Sequence, residues 1–454
     1  MTWQTVSGAL ILILPSLMAA PGVSAAQTPA PTTPGINLTV EDAVRLAEEH
    51  APRLAEARAH EAAAESNLAA LYASSRVSGA VSAGYQRGNH VDEFLLPTPT
   101  GPRGLFPDIP NTYRVRGEVN IPVYAFGRVG ATLDAARAEI KATGADRSTV
   151  NSDVRLDATR AYWWLVTART TVRVFEESLA RTDAYVSDVK ARVDAGVLPP
   201  NDVLSAQAQR GRQYVRLIQA RNDEALAELD LARLVGAPPG THITTTTAAD
   251  QPAAGTSELT SANAVQLVDR ALAARSERTA LTERSAGLRS SAMAALANTR
   301  PYLAGQVSVE PSRPNMRFLP PTDAWKTSWL AGINVTWPLF DSGKAKAEHA
   351  ALTAQATAVD ARRTEFENLV SLEVRQRLLE LESSRAAIVA AAESVVAATE
   401  ARRVLEERFR AGVATSTDVL DAQVAQLESE VEHTRLQAAL RIGEARLLRA
   451  LGGQ

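Results

Sequence analysis

Residues 410–423 read RAGVATSTDVLDAQ, and residues 194–207 spell nearly the same phrase, DAGVLPPNDVLSAQ. Displacing the chain on itself by 216 positions, so that Gly196 falls on Gly412, aligns 119–236 with 335–452 without a gap. Pro122 then meets Pro338, Gly127 meets Gly343, Asp202-Val-Leu meets Asp418-Val-Leu, and Gly236 meets Gly452. Upstream the displacement becomes 221, with Leu38-Thr on Leu259-Thr and Ala43-Val on Ala264-Val, because one intervening loop is longer. A repeat of this size is a duplicated module, not a solenoid of small units.

Both modules, 38–236 and 259–454, follow one order. A helical stretch comes first (40–75 and 262–298), then two alternating strands (about 76–88 and 113–124; about 302–310 and 325–340). A long helix follows (128–195 and 344–411), and a return helix closes the module (201–235 and 417–450). Neither long helix contains proline, and in the second Phe366, Val370, Val374, Leu378, Leu381, Ile388 and Val395 form one continuous apolar face. At 1.5 Å per residue each long helix spans about 102 Å, close to the summed length of the two shorter helices of its module. The economical arrangement stacks the short pair beside the long helix, so each chain forms four helical columns.

The strands alternate cleanly. Tyr113, Val115, Gly117, Val119, Ile121 and Val123 share one face, with Arg114, Arg116, Glu118 and Asn120 on the other. Trp325, Trp329, Ile333, Val335, Trp337 and Leu339 likewise oppose Lys326, Ser328, Asn334 and Thr336. Apolar-out, polar-in strands of about ten residues, with aromatics such as Tyr85, Tyr113, Trp325, Trp329 and Trp337 at membrane-interface positions, are the signature of a transmembrane β-barrel. An ordinary amphipathic sheet in a soluble domain is the competing reading. Four strands cannot close a barrel, for which about eight is the practical minimum. Open edges in lipid leave backbone groups unsatisfied, so the chain is expected to oligomerise; a dimer and a trimer both remain open on this arithmetic.

Composition narrows the function. A net charge of −3 argues against nucleic-acid binding. With no cysteine, disulfides, thiolate metal sites and an N-terminal lipid anchor are excluded. Residues 1–26 read as a secretory signal peptide, with apolar Gly8–Ala20 and small residues at Val23–Ala26; a buried core helix is the alternative. Residues 27–37 form an extended lead-in, and 237–258 link the modules. The stretches 89–112 and 311–324 are expected as Pro-rich outer loops. His50, His60, His90, His242, His349 and His433 show no ligand spacing, and no catalytic cluster stands out, so neither metal, cofactor nor enzymatic activity is expected. Trp163-Trp164, halfway along the first long helix, reads as core packing by one of the pair or as a contact with a belt or partner.

Gly196 and Gly412 suit the left-handed position that ends a helix, and Asn201 and Ser416 or Thr417 are candidate N-caps of the return helices. Capping does not account for the valine after each glycine. Nor does helix-dipole compensation, which serves Asp202 and Asp418 alike, require the second acid Asp421 where the first module has Ser205.

Taken together, the VNIPVYAFGR (119–128) and VTWPLFDSGK (335–344) strand-to-helix junctions, with Pro122, Gly127, Pro338 and Gly343, and the two AGV…DVL turns resemble the TolC-like outer-membrane efflux protein family. The resemblance covers roughly 38–452. It implies a mostly α fold with transmembrane β: a homotrimer with a 12-stranded outer-membrane barrel and a periplasmic tunnel of helical columns, girdled by a belt that includes the 237–258 linker. It implies a Gram-negative outer-membrane location and partnership with a periplasmic adaptor and an inner-membrane pump. The exposed tips Ala195-Gly196-Val197 and Ala411-Gly412-Val413 would dock the adaptor. Asp418 and Asp421 would line the tunnel constriction, with Asp202 a gate-forming acid. Two departures suggest a loosely latched entrance: Ala414 stands where a basic partner for Asp202 is expected, and Phe409 replaces a tyrosine. A type I protein-secretion channel is the alternative within the class, and a non-channel envelope-spanning coiled coil the alternative outside it.

Overall fold

A computed structural model describes residues 35–99, 101–238, 240–246 and 263–453. The expected signal at 1–26, most of the 27–37 lead-in and the linker beyond Thr246 lie outside those residues. In the first module, β1 (Ile36–Leu38) leads into α1 (Val40–His50) and α2 (Pro52–Ser74). Strands β2 (Ser78–Arg87) and β5 (Asn111–Tyr124) flank a small hairpin, β3 (Phe94–Leu96) and β4 (Arg103–Phe106). Helices α3 (Arg128–Asp194) and α4 (Asn201–Leu234) follow, and β6 (Ile243–Thr245) begins the linker. The second module comprises α5 (Ala264–Ala274), α6 (Ser276–Ala297), β7 (Tyr302–Arg313), β8 (Lys326–Thr336), α7 (Lys344–Arg410) and α8 (Ser416–Ala450).

The fold is mostly helical, built around two 67-residue helices, α3 and α7, each about 100 Å long. Small side chains let the columns approach: α3 buries Ala138, Ala142, Ala158, Ala161 and Ala168. Its first half packs against α2 and α6, and its second half against α4 and α8. Phe366, Val370, Val374, Leu378 and Leu381 of α7 close over α5 and the end of α8, as their spacing predicts.

Each leading helical stretch is broken in two, where the sequence suggested one continuous run. Pro52 forces Ala51 out of the helical region, to ψ 117°. The second module has no proline there, yet Arg275 adopts the same conformation. Its side chain is only 5% exposed. The guanidinium donates to the Ala450 carbonyl (2.9 Å) and to Glu277 and Glu373, so tertiary contacts hold this break.

Four antiparallel strands form one sheet in the order β2-β5-β7-β8, so β5 and β7 join the modules and β2 and β8 are edges. Val81 opposes Gly117, Val119 opposes Val307, and Val309 opposes Trp329. The apolar face is bare, with Val81 80% and Ile333 73% exposed. Aromatic rings mark both ends. Tyr85, Tyr113 and Trp325 form a row with centroids 5.0 and 6.2 Å apart, and at the opposite end Tyr124 stacks edge-on to Phe126 while Trp337 donates to the Thr299 carbonyl. Arg114 pairs with Glu310, and Arg116 with Glu118, on the polar side. The 89–112 stretch is more ordered than a plain loop, because Phe94–Leu96 pairs with Arg103–Phe106; likewise β7 runs through Pro311 to Arg313. No described helix is long and apolar enough to cross a membrane.

Midway along the columns, β1 and β6 pair in parallel, Ile36 opposite Ile243, and lie across α3. Arg169 donates to the Ile243 carbonyl and Glu228 accepts from the Ile243 N–H at 2.7 Å, strapping this pair to α3 and α4. Leu38 and Ile243 pack on Tyr162, Leu165 and Val166, and Ala47 of α1 packs on Val154 and Ala158.

Candidate functional site

The two helical turns lie together at the end of the columns away from the sheet. Both long helices stop in the same way. Gly196 has φ 73° and Gly412 φ 75°, a left-handed conformation that glycine adopts without the local strain a Cβ would bring. Val197 N–H donates to the Arg192 carbonyl and Val413 N–H to the Arg408 carbonyl, each at 2.8 Å, closing the six-to-one turn of a Schellman motif. In that motif the residue after the glycine commonly packs back on the helix. Here Val197 and Val413 instead stand 68% and 67% exposed, beside exposed Ala195 and Ala411.

The return helices begin differently from each other and from the expected caps. Asn201 is the first residue of α4, and Pro200 before it offers no side-chain cap. In α8 the cap is Thr415, one residue before Ser416. Thr415 Oγ1 accepts from the Asp418 N–H at 3.2 Å while Asp418 Oδ2 accepts from the Thr415 N–H at 2.8 Å and from its hydroxyl at 2.7 Å. This is a capping box with aspartate in the third helical position. The Thr415 hydroxyl and N–H hold the Asp418 carboxyl below its usual range, so it is anionic. Asp421, one turn on, is exposed and has no hydrogen-bond or ion-pair partner among the described residues. Asp202 is half-buried in the first turn of α4.

Beneath the turns, residues from both modules form one apolar cluster: Tyr185, Val189, Ala206, Phe409, Val419 and Leu420 are buried, with Ala414 packed against them. The Phe409 ring lies 5.6 Å from Tyr185, and the Arg192 guanidinium sits 5.0 Å above its face. The Tyr185 hydroxyl reaches Ser416 Oγ at 3.0 Å and the Ser416 carbonyl at 3.2 Å. Burial pushes this phenol up to about 12, so it stays protonated and able to donate. A tyrosine hydroxyl does join the two hairpins, but it comes from α3, not from position 409. Sequence reasoning missed Tyr185 because the contact spans 231 positions. The available signal was that the aligned residue of the second module is Ala401.

At the other end of the long helices, Gly127 (φ 94°) and Gly343 (φ 83°) precede α3 and α7 in left-handed conformation. Asp341 caps α7, accepting from Gly343 and Ala345 N–H at 2.9 Å each, which lowers its pKa. Pro122 sits at an irregularity where β5 slips one residue against β7, and Pro338 lies just past the end of β8. No cluster suited to a metal ion occurs among the described residues.

The sequence matches the family model of outer membrane efflux proteins over residues 43–237 and 260–453, one match per module. No curated protein sequence matches. Among solved structures, the outer membrane protein VceC of Vibrio cholerae superposes with a TM-score of 0.74 at 19% identity, over 91% of this chain and 96% of that one. CusC gives 0.76 at 16% identity, over 96% and 99%. The MtrE outer membrane channel of Neisseria gonorrhoeae, in its open state, gives 0.73 at 18%, over 91% and 89%. These likenesses are in fold.

Proposed function

The chain belongs to the outer membrane efflux protein family, and from that premise we propose that it is the outer-membrane channel of a tripartite export system. Three chains close a 12-stranded barrel in the outer membrane. Their helical columns continue it as a periplasmic tunnel, whose entrance meets a periplasmic adaptor and, through it, an inner-membrane pump. The cargo is a drug, a metal ion or another small molecule.

One observation carries this reading. The sheet ends in two unpaired edges, β2 and β8, beneath a bare apolar face. In hydrocarbon each unpaired backbone group costs several kcal/mol, and only pairing with further copies of the sheet removes every edge. The full-length protein extracted in mild detergent is expected to run as a trimer by native mass spectrometry and to conduct ions in planar bilayers. A detergent-binding monomer that keeps its strands would sink the barrel.

The entrance yields a finer expectation. Tyr185→Phe keeps the ring against Phe409 and removes the hydroxyl that Ser416 shares between its Oγ and carbonyl, a loss of about 0.5–1.5 kcal/mol. If that contact holds the entrance narrow, the open fraction of reconstituted channels rises roughly two- to tenfold. Gating identical to that of the unaltered channel would leave Tyr185 a packing residue only.

A further inference from the structure

Trp163 and Trp164 stand about 100° apart around α3, so only one of them meets the packed columns. Trp163 is buried beside Tyr162, edge-on at 5.6 Å. Trp164 is 57% exposed. Ala158, Tyr162, Leu165 and Arg169 of α3 carry α1, β1 and β6. Residues 160, 164, 167 and 171, at helical steps of 4, 3 and 4, lie on the reverse face. If the strapped elements form the outer belt of the tunnel, this reverse face is its inner wall; that placement rests on the channel reading above.

On this face Trp164 lines a cavity of 410 Å³ between α4 and α8, together with Arg160, Arg233, Arg446, Asp157 and Asp230. The carboxylates are already engaged. Asp230 accepts from Arg233 at 2.7 Å, and Asp157 takes Arg53 at 2.6 Å and Arg160 at 3.9 Å. Arg446 has no hydrogen-bond or ion-pair partner among the described residues. Partial burial and the neighbouring guanidiniums of Arg160 and Arg377 lower its pKa, outweighing the attraction of the Glu380 carboxylate. The nearby carboxylate of Glu380 is bound to Arg377 at 2.7 Å. An exposed indole therefore shares a cavity with a guanidinium that makes no direct ion pair among the described residues.

We propose that this cavity is a binding site for aromatic anions, a flat ring bearing a carboxylate or sulfonate. Trp164 offers a face for stacking, and Arg446 offers the planar fork that grips two acid oxygens. In a trimer three such sites ring the tunnel at mid-height, a resting point for anionic aromatic cargo above the acidic entrance.

The test uses the full-length protein in detergent, with naphthalene-2-sulfonate as probe in equilibrium dialysis and methanesulfonate as competitor. Trp164→Ala and Arg446→Gln are each expected to raise the half-saturating concentration about tenfold. Arg446→Lys, which keeps the charge and loses the fork, should fall between. Native mass spectrometry of each variant confirms assembly, and should Trp164→Ala fail to assemble, Trp164→Leu takes its place. Binding unchanged in the variants, or abolished equally by methanesulfonate, overturns the site. Conductance in bilayers without probe binding also overturns it and leaves the channel reading standing. Variant-sensitive binding to a protein that does not conduct supports the site and removes its placement in a tunnel.

Discussion

Gly412→Trp, and separately Gly196→Trp, are expected to abolish export, reducing drug or metal resistance to that of a host lacking the channel, while trimers still reach the outer membrane. The backbone supplies part of the reason. At φ 73° and 75° a side chain is strained, by about 1–2 kcal/mol. The greater part must come from outside the chain, because a Cβ added at either glycine meets nothing within 4 Å. A Cβ at the tip therefore meets no other part of the protomer, and the expected loss requires the larger ring to obstruct the adaptor proposed to dock there. Gly412→Ala separates the two causes, since it carries the backbone strain without the bulk. Near-normal resistance for alanine with none for tryptophan places a partner at the tip. Loss in both would trace the defect to the turn's own conformation. Full resistance with tryptophan at both tips, at normal protein levels, would mean the adaptor docks elsewhere.

The tips were legible because their signals are local. Glycine at a left-handed position and a proline-free helical period each act within a few residues, and their recurrence 216 positions later excluded coincidence. What escaped notice depends on distant partners. The break at Arg275 has no local cause, since the residue leaves the helix to reach Ala450 and Glu373 from elsewhere in the module. The cap of α8 falls one or two residues before the expected Ser416 or Thr417, because Thr415, Ser416 and Thr417 are all competent caps. Asp418, three residues beyond Thr415, decides among them, and it frees Ser416 for the buried contact with Tyr185. The modules also differ where they meet. Tyr185 stands opposite Ala401 in the alignment, Phe409 opposite Val193, and Trp163-Trp164 opposite Leu379-Glu380. In a duplicated chain, lost symmetry is itself a signal. Two copies that fold alike but meet different neighbours are free to diverge at the seam.

The same asymmetry frames the acids of the second tip. Asp418→Asn/Asp421→Asn is expected to lower the cation preference of reconstituted channels and to weaken block by trivalent cations roughly tenfold or more. With two acids per chain, the proposed trimer would present six carboxylates in two rings about 4.5 Å apart along the helix. Asparagine is the informative replacement at 418, because its carbonyl still accepts from the Thr415 N–H and so keeps the cap while removing the charge. The two positions should not contribute equally. One oxygen of Asp418 is tied to the Thr415 N–H and hydroxyl, whereas nothing among the described residues engages Asp421. Asp421→Asn alone is therefore expected to produce the larger change. Acidity gives an independent check on the other ring. Because the Thr415 hydroxyl and N–H depress its pKa, Asp418 keeps its charge above a lowered folded-state value. In Asp421→Asn channels the remaining cation preference should thus persist as pH falls through the ordinary aspartate range, and disappear only below it. Selectivity and block unchanged in the double variant would mean that both carboxylates face away from the lumen. Asp418 would then be left with the capping of α8 alone, and Asp421 with no role in the entrance.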